Sequence, residues 1–215
     1  RLVQVSYQFR YGVFVRMTLV TGLRLGEVVG LRWCDIDFYT NMLHVNQTLN
    51  RLQRYDDDEA DSKTEIVTQT PKSQNSIRSI PMLPDLVMDL QNWRTVQMQD
   101  AAAIGTSYFD SGLIATQENG LYVEPRLMRE YYQKMLAAAN LPNYNFHALR
   151  HTFATRAMEQ GMDAKTLSIL LGHYSVGFTL DTYAHVLTDQ KWTAMQTMAN
   201  MYNMEPPLRQ PIQFF

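Results

Sequence analysis

The sequence predicts an α+β domain that is mostly helical and carries a small antiparallel β-sheet. Apolar residues recur at helical spacing through most of the chain, whereas strand-like alternation is confined to residues 33–81. At 215 residues and 46% apolar, the chain is long enough to bury one sizeable core. No apolar run reaches the length of a membrane span and nothing resembles a signal peptide, so a soluble protein is expected. The single cysteine, Cys34, excludes an internal disulfide framework, fits a reducing compartment, and reads as a small buried apolar residue. The chain opens on Arg1 directly before a helical pattern, which suggests a piece of a longer protein.

The first helix is expected from Tyr7 to Val20, ended by Thr21-Gly22, and a second, short one in LRLGEVVGL. Arg24 sits at the start of that second helix, where the helix dipole favours anions, so the arginine needs an anion to serve. Trp33 to Phe38 and Met42 to Leu49 alternate around Tyr39-Thr40-Asn41 and predict a hairpin. Glu65 to Thr70 and Ser76 to Pro81 predict a second strand pair, with Lys72 at the turn between them. Pro84 opens a long helix to Ala103, with Leu86, Leu90, Trp93 and Val96 as its buried stripe. Leu113 to Thr116 is too short to type, and Glu124 to Ala139 is helical again. Further helices are expected from Asn145 to Gln160, from an Asp163 cap to Leu171, from Thr179 to Ala184 and from Asp189 to Met204. The closing EPPLRQPIQFF is too rich in proline to be helical.

Net charge is −2, which by itself argues against a nucleic-acid partner. However, Asp56, Asp57, Asp58, Glu59 and Asp61 form one acidic cluster, and without those five the net charge would be +3. Such a cluster is ordinarily a solvated loop, which leaves room for a basic face elsewhere.

Residues 143–185 gather His147, Arg150, His151, His173, Tyr183 and His185. His147 shares a helical face with Arg150 three residues on and with His151 four residues on. Singly, each has an ordinary reading: His151 and His185 flank apolar neighbours and read as core or supporting histidines, and Tyr183 is one of 12 tyrosines. In combination, His147, His151 and His173 could present three imidazoles to zinc. Against that, Arg150 would set a cation beside the metal and the helical zinc-protease glutamate is absent, so no metal and no cofactor is expected. Phosphoryl transfer accounts for more of the set. Arginines clamp the non-bridging oxygens, histidines donate or move protons, a lysine protonates the leaving oxygen and a tyrosine attacks.

TGLRLGEVVGLRW, PKSQNSIRSIP, HALRH and LGHYSVGFTLDTYAH, in this order, resemble the catalytic domain of the tyrosine recombinases, the integrases of phages and conjugative transposons. The resemblance covers about Tyr7 to Leu187 and implies the tyrosine-recombinase catalytic fold over residues 1–187, with residues 188–215 as a C-terminal helix and tail. It implies that Arg24 and Arg150 are the clamp arginines, Lys72 the general acid to the 5′-hydroxyl, and His147 a proton acceptor or phosphate ligand. His173 then hydrogen-bonds the scissile phosphate and Tyr183 is the nucleophile, with Glu27, His151 and His185 supporting the site. Lys72 is chosen over Lys63 because it precedes the strand ending IRSIP, and Gly177-Phe178 departs from the small polar pair expected before Thr179.

The resemblance further implies cleavage and rejoining of double-stranded DNA through a 3′-phosphotyrosine, for integration and excision of a mobile element. It implies a homo-tetramer on synapsed DNA sites, accessory DNA-bending or directionality proteins, and a bacterial, cytoplasmic, nucleoid-associated setting. Rival readings are a dimer resolvase, a type IB topoisomerase-like enzyme and a non-catalytic DNA-binding regulator of the same fold.

Overall fold

The computed structural model describes residues 1–53, 64–69, 76–183 and 195–202. Two helices, α1 (Leu2–Ser6) and α2 (Gly12–Thr21), take the place of the single helix expected from Tyr7 to Val20. The chain turns between them because Gly12 crosses the Ser6 backbone: a β-carbon at Gly12 would stand 1.7 Å from the Ser6 carbonyl oxygen. Tyr11 and Phe14 then enter an aromatic group, Tyr11 edge-on to Tyr131 at 4.6 Å and Phe14 edge-on to Trp93 at 5.3 Å between ring centres.

After α3 (Leu25–Gly30) a 3₁₀ turn occupies Trp33–Asp35, where a strand was expected. Asp35 causes this. Its buried carboxylate accepts the Arg32 backbone N–H at 3.1 Å, the Arg32 guanidinium at 3.0 Å and the Asn46 amide at 3.0 Å, which winds the chain instead of extending it. Cys34 is correspondingly exposed rather than buried, because Asp35 beside it takes the interior.

Strand β1 (Ile36–Asp37) pairs antiparallel with β2 (Met42–Val45), Ile36 opposite Leu43, so the hairpin around Tyr39 to Asn41 is present with shorter strands. Asn41 takes the positive φ of 54° that such a turn needs. The run to Leu49 breaks at Gln47, whose side-chain amide donates to the Gly30 carbonyl at 2.6 Å. The chain then enters β3 (Thr48–Gln53), which pairs with β4 (Thr64–Gln69). Strand β5 (Arg78–Pro81) pairs with β2 and not with β4. The expected second hairpin is therefore replaced by two sheets, ordered β1-β2-β5 and β3-β4. Burial explains the choice: Leu43 and Val45 of β2 and Ile80 of β5 share one core face, which only this pairing completes.

Helix α4 (Pro84–Ile104) buries Leu86, Leu90 and Trp93 as expected, whereas Val96 is only partly buried and Gln97 turns inward to bond the Ile114 carbonyl, and α5 (Pro125–Ala138) ends before Asn140 at φ 52°. Residues 113–116, untyped in sequence, form isolated bridges, Arg32 with Leu113 and Thr116 with Tyr122. Helix α6 (His147–Glu159) is followed by α7 (Ala164–Leu171), where the Asp163 carboxylate caps the N–H groups of Lys165 and Thr166 at 3.0 and 2.9 Å. Helix α8 (Val176–Thr182) starts ahead of the expected Thr179 because Ser175 Oγ caps the Phe178 N–H at 3.2 Å, and it ends one residue before Tyr183. Residues 195–201 are helical, within the expected tail helix. The main core lies between α2, α4, α5 and the first sheet, and a second, smaller cluster of Ala154, Met158, Leu167 and Leu171 joins α6 to α7. Among the described residues no helix is long and apolar enough to cross a membrane.

Candidate active site

Gly22 closes α2 in the left-handed conformation, φ 68°, and a β-carbon there would meet the Phe153 and Leu171 side chains at 2.6 Å each. This turn delivers Arg24 to the N-cap of α3, under α6 and α7. The anion that Arg24 needs is Glu27. Its buried carboxylate accepts the Arg24 backbone N–H at 2.7 Å and the Arg24 guanidinium at 2.9 Å.

The C-terminus of α7 collects three guanidiniums. Arg78 Nε donates to the Leu170 carbonyl at 2.6 Å, Arg150 Nη2 to Leu171 at 2.7 Å, and Arg24 Nη2 to Gly172 at 3.2 Å. Arg150 also donates to the Gly22 carbonyl at 2.8 Å. The last carbonyls of a helix lack intrahelical donors and carry the negative end of its dipole, so they hold like charges that would otherwise repel. Arg150 is only 2% exposed; burial, then the charges of Arg24 and Arg78, pull it down to about 9, which leaves it cationic at neutral pH.

His173 follows Gly172 directly. Burial and then the charges of Arg150, Arg24, Arg78 and His147 pull it down to about 4, so it is neutral at physiological pH. Its Nδ1 lies 2.7 Å from Thr179 Oγ1; with the threonine donating, the ring proton sits on Nε2, which makes the histidine a neutral donor. His147, in the first turn of α6, is also lowered, by burial and then by His151, Arg150 and Arg24. Its ring meets that of His151 edge-on at 4.8 Å. Tyr183 is 3% exposed and its ring packs in the smaller cluster against Ala154, Met158, Leu167 and Leu171. Burial raises its phenol while the Arg150 charge acts in the opposite direction. The phenol oxygen lies 3.3 Å from His151 Nδ1.

Arg24, Glu27, His147, Arg150, His151, His173 and Tyr183 therefore converge from α3, α6, α7 and the two ends of α8. Lys72 and His185 lie outside the described residues. An open cleft of about 740 Å³ borders His147, with Arg129, Gln133, Asn143 and Asn145 on its polar side. Among the described residues no three His, Cys, Asp or Glu side chains are grouped to hold a metal ion.

The sequence pattern of the phage integrase family matches residues 2–190. The chain belongs to the phage integrase family. Its relatives in this family include a tyrosine recombinase XerC-like protein of Caldanaerobacter subterraneus subsp. tengcongensis, 35% identical over 185 residues, covering 85% of this chain and 47% of the relative. The transposase of transposon Tn916 from Enterococcus faecalis is 26% identical over 193 residues, covering 86% of this chain and 44% of that protein. The chain thus spans about half the length of the curated relatives it matches. Among solved structures, the Tn1549 transposon integrase in complex with transposon right end DNA superposes with a TM-score of 0.70 at 26% identity, over 90% of this chain and 60% of that one. The catalytic domain of bacteriophage HP1 integrase shares the fold, with a TM-score of 0.53 at 19% identity, over 99% of this chain and 94% of that domain.

In this phage integrase family member two residues carry more than their sequence suggested. In sequence Arg78 is one residue of the IRSIP strand that places Lys72. It grips Glu27 with both η nitrogens, each at 2.9 Å, with side chains 3% and 1% exposed. Burial pushes the Glu27 carboxyl up, but the hydrogen bonds and charges of Arg78 and Arg24 outweigh it and hold the group below its ordinary value. The alternation of IRSIP held the signal: residues 78 and 80 share a face, so a buried Ile80 implies a buried arginine that must find a carboxylate. His151, expected among core or supporting histidines, is exposed and touches the phenol instead.

Proposed function

We propose that this chain is the catalytic part of a site-specific DNA recombinase that serves a mobile element. Tyr183 attacks a phosphodiester of double-stranded DNA, leaves a 3′-phosphotyrosine and frees a 5′-hydroxyl, and the hydroxyl of a second strand reverses the reaction. The observation that carries this reading is the gathering of Arg24 and Arg150 on helix-end carbonyls beside His173, with the Tyr183 ring packed on the same helix α7 and its phenol within electrostatic reach of Arg150. Arg24, with a side chain 38% exposed, and buried Arg150 offer planar donors to the non-bridging oxygens as negative charge grows on them. His173 adds a neutral donor, His147 faces the same region, Glu27 holds Arg24, and Lys72 is assigned the role of acid to the 5′ oxygen.

The open cleft beside His147, where Arg129, Gln133, Asn143 and Asn145 join Leu23, Leu25 and Phe146, supports passage of a DNA strand, and the DNA-bound Tn1549 integrase supports the substrate class. Residues 188–215 are assigned to docking on a neighbouring protomer of a tetramer assembled on two DNA sites. Met195, Met198, Met201 and Tyr202, each 42–68% exposed, support that assignment by offering an apolar surface. The XerC-like relative favours a second reading, resolution of replicon dimers by the same chemistry.

The test is incubation with nicked duplex DNA that traps the cleaved end, followed by denaturing electrophoresis. Wild type is expected to form a covalent DNA adduct and Tyr183→Phe none. Bound DNA without an adduct would overturn the enzymatic reading, and an adduct with Tyr183→Phe would overturn the choice of nucleophile.

A further inference from the structure

We propose that His151 is a further catalytic residue, the base that takes the proton of the Tyr183 phenol in strand cleavage and returns it in rejoining. The proposal rests on the reading of Tyr183 as nucleophile. The resemblance to the tyrosine recombinases makes His147 a proton acceptor or phosphate ligand and leaves His151 among the supporting residues. The geometry reverses the two.

Among the described residues, the phenol oxygen has one hydrogen-bond partner, His151 Nδ1 at 3.3 Å, and the two rings stand edge-on with centres 6.0 Å apart. This is the loose spacing usual for a catalytic pair before its substrate tightens it. His147 meets the His151 ring edge-on at 4.8 Å between centres, and no hydrogen bond to the phenol joins it among the described residues. Arg150 lies near enough to act on the phenol electrostatically, yet a guanidinium has no lone pair with which to accept its proton. A buried phenol needs such help, since its ordinary pKa is about 10 and burial favours the neutral form.

Fold placement supports the role. Tyr183 has its ring body locked in the cluster of α6 and α7 and its oxygen directed at the exposed rim, where His151 stands. An exposed imidazole can exchange the accepted proton with water while the covalent intermediate persists. In cleavage, the bond from Tyr183 Oη to phosphorus forms and the bond from phosphorus to the 5′ oxygen breaks. The phenol proton passes to His151 Nδ1, and the departing 5′ oxygen receives a separate proton, from Lys72 in the present reading. Rejoining runs the same transfers backwards, with the His151 imidazolium protonating the leaving phenolate.

The test uses the intact protein with nicked duplexes selected for binding by wild type, comparing His151→Ala, His151→Gln, Lys72→Ala and Tyr183→Phe. Both His151 variants are expected to bind DNA within a few-fold of wild type and to cleave roughly 100-fold more slowly or worse, the scale of general-base catalysis. A duplex with sulfur in place of the bridging 5′ oxygen has a leaving group that needs no proton. It is expected to restore Lys72→Ala and to leave both His151 variants slow. Added imidazole is expected to raise the His151→Ala rate in proportion to its concentration.

Cleavage by His151→Ala within threefold of wild type would overturn the proposal. So would its rescue by the sulfur-bridged duplex, which would move His151 to the leaving group, and so would indifference to imidazole. Adduct formation by Tyr183→Phe would instead bring down the nucleophile assignment on which the proposal stands. Inactive Tyr183→Phe beside fast His151→Ala would remove His151 alone.

Discussion

Replacing Arg78 by leucine should upset the charge balance at the end of α7. The substitution leaves the Glu27 carboxylate 1% exposed with only Arg24 as a partner, since the two bonds of 2.9 Å from Arg78 are lost. Breaking one side of a buried ion pair costs about 3–5 kcal/mol, and leucine fills most of the volume, so little of that loss is cavity. The cost should depend on pH in a definite direction. In the wild type Glu27 is held below its ordinary value, so its contribution is present above the unfolded-state value, near 4.3, and is lost as pH falls through the lower folded value. In Arg78→Leu burial dominates and the folded value rises. Glu27 then lowers stability at pH 7, where the unfolded chain is ionised, and that penalty fades as the solution is acidified. Urea unfolding of both proteins at pH 7 and at pH 4 reads this directly, and Glu27→Met/Arg78→Leu should recover much of the loss at pH 7. A deficit below about 1 kcal/mol at pH 7, or one of equal size at both pH values, would refute the reasoning, because either means that the pair is not the buried charge couple described.

Four further outcomes follow from other parts of the molecule. Arg150→Ala should slow single-turnover cleavage by roughly 100-fold to 1,000-fold, the usual loss of one donor to a developing oxyanion, with a much smaller change in DNA affinity measured by gel shift. His173, pulled down to about 4, binds fewer protons folded than unfolded between there and its ordinary 6.5; stability should therefore fall as pH drops through that window, and thermal melts of His173→Gln should show a shallower fall. Gly12→Ala should destabilise by about 1–3 kcal/mol in urea unfolding, because its β-carbon would press on the Ser6 carbonyl, whereas Asp163→Ala should cost about 1 kcal/mol as a lost N-cap.

What the sequence revealed and what it hid have separate physical causes. Long periodic segments were legible: α4 begins at Pro84 as its proline implies, and Asp163 and Gly172 bracket α7. The partnership of β5 with β2 was hidden because both hairpin neighbours and the strand across the sheet offer the same alternating pattern, and only the shared burial of Leu43 and Ile80 decides between them. The break before Gly12 was hidden because a tight crossing of two backbones leaves no trace in apolar spacing. In the site, the grouping of Arg24, Arg150, His173 and Tyr183 was legible through the resemblance of four ordered motifs to the tyrosine recombinases. The carbonyl partners of the arginines were not, since main-chain acceptors have no residue identity to read. Arg78 and His151 fell between these cases, visible as residues and placed only by three-dimensional packing.

The end of α7 gives the site a common origin of coordinates. Consecutive carbonyls of Leu170, Leu171 and Gly172 fix Arg78, Arg150 and Arg24, and the chain leaves that point as His173. A translation of α7 would strain all three guanidinium contacts at once, against the hold of Glu27 on Arg24 and Arg78 and of the Gly22 carbonyl on Arg150. The three cations are thus coupled through one helix end, and a change in its position is felt by all of them together.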